Sequence, residues 1–237
     1  MGTFDYQKLP SGYPDQNLTE GLKKGVGFQA NWHDVIYKRV KSKMENYDSH
    51  LDFACGPGIF IGNYTDGNSV GIDIAEPQID YAINKYGDKG EFLVKDGNNI
   101  DFKENSFDIV TMLDFVEHIE DEEVISMLNE IYKFLKPGGK LIITTPNYNS
   151  LYRFLEMIVN IVGPVSYKDQ HINKFHKKRL YTLLQQTEFT NVKVEKFLNF
   201  SCFFSVFSIK LAQKIENIVE NIFSSFYGYV LIAVLHK

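Results

Sequence analysis

The sequence predicts an α/β fold, a doubly wound and mostly parallel sheet. Three observations carry that prediction. Between His50 and Pro146, short apolar runs alternate strictly with segments of helical periodicity. Two early runs, Leu51 to Ala54 and Val70 to Asp73, meet carboxylates at Asp52 and Asp73. A third run, Phe107 to Leu113, has few polar breaks, as a strand covered on both faces requires.

The elements follow in order. Residues 1 to about 30 are rich in Gly, Pro, Asn and Tyr and read as an irregular arm that ends in a short helix. From Asn31 to about Glu45, Trp32, Val35, Ile36 and Val40 recur at helical spacing. Leu51 to Ala54 is the first strand and Val70 to Asp73 the second. Pro77 sits in the first turn of a helix running to about Tyr86. Glu91 to Val94 is the third strand, ending near Asp96-Gly97, and Phe107 to Leu113 is the fourth. The next helix, about Asp121 to Leu135, carries acids in its first turn and stops at Lys136-Pro137-Gly138-Gly139. Lys140 to Thr144 is the fifth strand, ended by Pro146. Connections of this kind are right-handed.

After Pro146 the rhythm breaks. Leu151 to Val162 reads as an apolar helix closed by Gly163-Pro164. Asp169-Gln170-His171 and a basic patch follow, then a helix from Lys177 to Thr187 and a strand from Val192 to Phe197. The helix Leu151 to Val162 and the aromatic-rich segment Phe200 to Phe226 read as ordinary core or dimer surface, with a lid over a greasy acceptor or a membrane-interface contact as the alternatives. Tyr229 to Leu235 is strongly β-forming, so the two late strands are expected antiparallel at the sheet edge.

Composition narrows the function. A length of 237 residues with 44% hydrophobic content suits one α/β domain with insertions. The net charge of −5 opposes a nucleic-acid backbone as partner. The lysine clusters Lys38 to Lys43 and Lys174 to Arg179 read as solvated helix faces. Cys55 and Cys202 form neither a metal-spacing motif nor a disulfide framework, which fits a reducing cytoplasm. Neither a signal peptide nor a bilayer-length apolar run is visible.

The small-residue loop Ala54-Cys55-Gly56-Pro57-Gly58 carries the chemistry. Counted from Gly56, the third glycine of a dinucleotide fingerprint is replaced by Ile61; counted from Ala54, it is replaced by Ile59. Pro57 also lacks an amide hydrogen for phosphate. A loop receiving the amino-acid end of a nucleoside makes fewer such demands. Asp52 would orient an ammonium group, and Asp73 would accept from ribose hydroxyls. The bland alternatives are a helix cap for Asp73, before Ala75-Glu76-Pro77, and a turn residue for Asp96 in Asp-Gly-Asn-Asn.

At this point the chain resembles the class I S-adenosylmethionine-dependent methyltransferases, in the broad group that includes quinone-biosynthesis and sugar or natural-product enzymes. The pieces, in family order, are Leu51-Asp52-Phe53-Ala54-Cys55-Gly56-Pro57-Gly58, Gly71-Ile72-Asp73-Ile74, Lys95-Asp96-Gly97 and Phe107-Asp108-Ile109-Val110, then Asp114-Phe115-Val116-Glu117-His118 and Leu135-Lys136-Pro137-Gly138-Gly139-Lys140-Leu141. They span about residues 48–148; Ala54 departs from the family's usual first loop glycine. The resemblance implies a Rossmann-like seven-stranded sheet, mostly parallel with an antiparallel edge strand, and helices on both faces. It implies one domain over residues 1–237, with an arm and helix (1–46), a cofactor core (47–148) and acceptor-site or lid insertions (149–190 and 199–226). The implied cofactor is S-adenosylmethionine, with S-adenosylhomocysteine as product. Asp52, Ala54 and Gly56 would surround its methionine part, Asp73 the ribose and Ile74 the adenine. Asp96 would accept from the adenine amino group, Gly97 would add backbone contacts, and Leu113 and Asp114 would line the floor under the sulfonium.

Methyl transfer from a sulfonium is an in-line displacement served mainly by alignment and exclusion of water. A hydroxyl or amine acceptor adds the need for a base, for which His118, His171 and His176 are the candidates. Asp114-x-x-Glu117-His118 resembles a group that binds a divalent metal in some quinone-pathway and small-RNA methyltransferases, but also resembles many metal-free members; the reading adopted has no metal. The expected function is methylation, at oxygen, of a small-molecule acceptor: a sugar, a phenolic or polyketide-like compound or a quinone precursor. The alternatives are a non-catalytic nucleoside-binding protein and a nicotinamide-dependent oxidoreductase, the latter opposed by the missing third glycine. The chain is expected to be cytoplasmic, a monomer or homodimer, with room for peripheral membrane contact.

Overall fold

The computed structural model describes residues 6–8, 10–97, 100–162, 170–198, 200–223 and 228–237. The strands are β1 (Ser49–Phe53), β2 (Asn68–Asp73), β3 (Glu91–Val94), β4 (Phe107–Leu113), β5 (Leu135–Pro146), β6 (Thr190–Phe197) and β7 (Val230–His236). They form one seven-stranded sheet in the order β3-β2-β1-β4-β5-β7-β6. The β1 to β5 pairings are all parallel. The antiparallel pairing expected at this edge is present: β7 runs antiparallel to both β5 and β6, and β6 lies outermost. The sheet order reverses between β1 and β4, so a crevice opens at the carboxyl ends of β1, β2 and β4.

The helices are α1 (Asp15–Lys24), α2 (Phe28–Met44), α3 (Ile59–Tyr64), α4 (Glu76–Tyr86), α5 (Asp121–Phe134), α6 (Tyr152–Val162), α7 (Lys177–Leu184) and α8 (Ile209–Phe223). The larger core cluster joins Leu51, Val110, Met112 and Leu141 of the sheet to Leu128 and Ile131 of α5 and Leu180 of α7. A second cluster packs Ile36, Val40 and Met44 of α2 against Ile109, Ile142 and Ile232 on the other face. Burial of such side chains contributes roughly 1.5–3 kcal/mol each.

Four stretches differ from the sequence expectation. In the N-terminal arm the expected short helix is present as α1, but it occupies the middle of residues 1–30 rather than their end. Its Asp15 is buried and accepts hydrogen bonds from Tyr81 Oη (2.9 Å), Lys85 Nζ (2.6 Å) and Tyr86 Oη (2.9 Å) on α4. Helix α2 starts at Phe28, before Asn31. The Lys136-Pro137-Gly138-Gly139 turn lies inside β5: Leu135 pairs with Phe107, Lys140 pairs with Ile109, and the residues between bulge out with Gly138 at φ 80°. Helix α7 stops at Leu184 and β6 begins at Thr190, earlier than predicted in both cases. The expected Gly163-Pro164 stop after α6 lies outside the described residues.

One glycine is fixed by both conformation and space. Gly58 has φ 72°, and a Cβ there would stand 2.6 Å from the Phe92 ring and 2.9 Å from Ala82 Cβ. Gly58→Ala is expected to lower stability by about 2–4 kcal/mol, from the left-handed backbone and the overpacking together. Urea denaturation measures it; an unchanged midpoint would contradict the packing described.

Candidate active site

The crevice begins with the two strand-end carboxylates. Asp52 on β1 is buried, and Oδ1 accepts a hydrogen bond from Thr111 Oγ1 at 2.6 Å. Thr111 in turn lies 2.8 Å from His50 Nε2, and His50 Nδ1 lies 3.0 Å from Ser69 Oγ. Burial drives the His50 pKa down to about 3, so the ring is neutral. With its hydroxyl proton given to Asp52, Thr111 accepts from His50 Nε2. Burial raises the Asp52 carboxyl to about 7 against its ordinary 3.8; the Thr111 bond lowers it and nearby Asp73 raises it. Such a carboxylate stabilises a cation brought beside it.

The loop after β1 folds back sharply, with Ala54 at φ 58°, Gly56 at 52° and Gly58 at 72°. Gly56 N donates to Asp73 Oδ2 at 2.8 Å, and Ala75 N donates to Asp73 Oδ1 at 2.8 Å. Asp73 thus braces the loop and the turn into α4, while each carboxylate oxygen keeps a further lone pair for another donor. Burial raises its pKa and these backbone bonds lower it, with burial prevailing. A Cβ on Gly56 would meet nothing within 4 Å, so the space above the loop is open. Burial pushes the Cys55 thiol well up, which keeps it protonated and suits a packing side chain rather than a nucleophile.

The other strand tips complete the crevice. Ile74, just past the end of β2, is an exposed apolar side chain. Asp96 is exposed beyond β3, and a Cβ on Gly97 would stand 2.7 Å from the Phe53 ring. Leu113 and Asp114 end β4, with Asp114 in the left-handed region at φ 50°. Its backbone N donates to Thr144 O at 3.0 Å, and Thr144 Oγ1 donates to Asp114 Oδ1 at 2.9 Å. Burial raises the Asp114 carboxyl, against the Thr144 bond and the His171 charge.

Beside Asp114, the structure gathers Glu117, His118 and His171. One side-chain ligand atom from each lies within 4.8 Å of the others, and the His118 and His171 rings are 5.0 Å apart. Buried Glu117 accepts from Thr145 Oγ1 at 2.9 Å; burial first, and Asp114 second, raise its pKa well above normal. His118 Nδ1 lies 3.0 Å from the Gln170 carbonyl, and burial lowers this imidazole to about 4. It is therefore a weak base at neutral pH. His171 is held differently, with Nδ1 2.5 Å from Glu156 Oε1 and 2.7 Å from Tyr148 Oη. Tyr148 also donates to Glu156 at 2.6 Å. Burial works to raise the Glu156 carboxyl, but the His171 and Tyr148 bonds outweigh it and leave the pKa below its ordinary value. A carboxylate on Nδ1 fixes ring orientation and stabilises imidazolium, as a general base requires.

His176 is not gathered with these groups. It is exposed, and Nδ1 accepts from Arg179 N at 3.3 Å, so the ring caps α7. Sequence reasoning missed Tyr148, Glu156, Thr111 and His50. Glu156 carried a signal, since it is the lone acid of a largely apolar helix segment, Leu151 to Val162.

Comparison with known proteins agrees with this geometry. Residues 51–143 match the family model described as a methyltransferase domain. A demethylmenaquinone methyltransferase of Lactobacillus johnsonii is 29% identical over 72% of this chain and 79% of its own length. A ubiquinone/menaquinone biosynthesis C-methyltransferase of Desulfotalea psychrophila is 26% identical, over 62% and 68%. A crystal structure of a SAM-dependent methyltransferase from Archaeoglobus fulgidus superposes with a TM-score of 0.61 at 21% identity, covering 86% of this chain and 94% of that one. Among the described residues, no helix is long and apolar enough to cross a membrane. Strand order, strand-end crevice and family match point one way: residues 51–143 match a methyltransferase domain, and the chain is similar to S-adenosylmethionine-dependent methyltransferases.

Proposed function

We propose that this protein methylates a small hydroxylated aromatic acceptor of the quinone-precursor kind, with His171 taking the hydroxyl proton. The observation that carries the reading is the Glu156–His171–Tyr148 group, its His and Tyr buried, beside Asp114 at the tip of β4. Residues 47–148 hold the donor, and 149–190 with 199–226 enclose the acceptor, in one domain. Asp52, Ala54 and Gly56 surround the methionine part, Asp73 accepts from the ribose, Ile74 packs on the adenine, and Asp96 with Gly97 meets its edge. Leu113 and Asp114 form the floor. His171 accepts the acceptor's proton, the phenolate oxygen attacks the sulfonium methyl in line, and neutral S-adenosylhomocysteine leaves. The quinone-pathway names of two relatives support the acceptor class, and one of those names specifies carbon, which the same phenolate can present at its ring. Free thiols at Cys55 and Cys202 support work in a reducing compartment such as the cytoplasm.

Incubation with labelled donor and a panel of hydroquinones and phenols tests this. Label in a hydroxylated aromatic is the expected result, and nuclear magnetic resonance then distinguishes oxygen from carbon. Label only in sugars or amines would overturn it.

A second reading rests on the close approach of Glu117, His118 and His171, which is short enough for one divalent cation to bridge. Thr145 on Glu117 and Glu156 on His171 are oriented as outer partners of metal ligands are. A cation there would bind and acidify the acceptor hydroxyl. Under this reading a chelator abolishes turnover and leaves donor binding intact; under the first, turnover survives.

The Asp52 pKa sets a pH dependence. Folded protein without donor keeps this proton to about pH 7, while the unfolded chain loses it near 3.8. The group's contribution to stability is thus full below 3.8 and is lost as pH rises to about 7. Donor binding has the opposite sign, because only the carboxylate holds the ammonium. Calorimetric titration is expected to show about tenfold weaker S-adenosylmethionine binding at pH 6 than at pH 8. Flat affinity would remove Asp52 from this role.

A further inference from the structure

The stretch Phe200–Val206 is folded with its polar side inward. Ser201, Cys202 and Ser205 are buried, with Ser201 donating to Glu216 and Ser205 to the Cys202 carbonyl. Phe200, Phe203, Phe204, Val206 and Phe207 are exposed instead, Phe207 by 80%. A role in the core would have placed these side chains inside. Helix α8 extends the pattern: Ile209, Ala212 and Glu216 are buried, while Leu211 and Ile218 face out beside exposed Lys210 and Lys214. Two backbone hydrogen bonds, Gly27 N to Ser205 O and Ile209 N to Gly25 O, both 2.8 Å, fasten the end of α1 to this surface. They bring exposed Leu22, Lys23 and Lys24 to it.

Charge selects the occupant. From Leu198 to Ile215 the sequence has lysines and no acid, although the whole chain carries −5. Aromatic side chains flanked by lysines match an anionic lipid surface, with the rings at the headgroup–acyl boundary and the ammonium groups among the headgroups. We propose that this face docks the protein on an anionic bilayer, with α8 lying along the interface. A chain of aromatic contacts, partly through the core, links this surface to the candidate active site. Phe203 meets Tyr229 at 6.4 Å, Tyr229 meets Trp32 at 6.2 Å, Trp32 meets Tyr152 at 5.9 Å, and Tyr152 meets Tyr148 at 5.3 Å. An apolar acceptor drawn from the bilayer thus has aromatic partners as far as the His171 group.

Flotation of the full chain with phosphatidylcholine vesicles, with and without about one-third phosphatidylglycerol, tests the proposal. Recovery is expected with the anionic vesicles. Phe207→Asp and the double variant Lys210→Glu/Lys214→Glu are each expected to partition about tenfold more weakly, with melting temperature and donor affinity unchanged. Absent recovery on anionic vesicles, or equal recovery of Phe207→Asp, would overturn it. So would self-association of the wild type that Phe207→Asp abolishes, since a second copy would then be the occupant. Donor binding measured in the same samples separates these outcomes from any failure of the catalytic reading.

Discussion

Asp73→Ala is expected to weaken S-adenosylmethionine binding by at least about a hundredfold, because hydrogen bonds to a charged group contribute about 1.5–3 kcal/mol each and the ribose offers two hydroxyls. The loss has a second source. Asp73 also receives Gly56 N and Ala75 N, so its removal releases the loop that borders the methionine part of the ligand. Asp73→Asn separates the two contributions, since it keeps the shape and one acceptor oxygen. An intermediate loss is expected for it, with a melting temperature near wild type. Calorimetric titration measures both variants. Unchanged affinity in Asp73→Ala would leave this carboxylate as a loop brace and nothing more.

Loss of the base is expected to be the larger effect on rate. His171→Ala should lower kcat by about 10²–10⁴, the range for a positioned general base, while donor affinity stays within about twofold. Glu156→Gln keeps a partner for Nδ1 but removes the charge that stabilises imidazolium. It should lower kcat by about tenfold while donor affinity stays near wild type. His176→Ala serves as the contrast: it loses a helix cap worth about 1 kcal/mol and leaves the rate alone. Full activity in His171→Ala would remove the base from the reaction.

The strand-and-helix alternation and the donor crevice were legible in the sequence because both depend on local pattern. An apolar run that ends in a carboxylate and a small-residue loop has few other uses, and Asp52, Asp73 and the loop glycines stand where that pattern put them. The acceptor side was legible only in part. His118 and His171 were candidates from the sequence, but their approach depends on the long chain closure that brings Gln170 to His118. His171 and His176 share one segment and one chemistry. Only the point at which α7 begins decides that one is gathered with Glu117 while the other caps a helix. The contacts that anchor the helix of the N-terminal arm were hidden for a similar reason, because Asp15 meets two tyrosines and a lysine of α4.

The position of β7 governs the order of assembly. It lies between β5 and β6 in space but follows both along the chain, and Leu231, Ala233 and Leu235 are fully buried there. During synthesis β6 emerges with no neighbour to pair with, and β5 waits with a bare ladder, until Tyr229 and the residues after it arrive. A nascent chain halted before that point presents an open, apolar strand to other nascent chains, the situation in which edge-to-edge clumping begins.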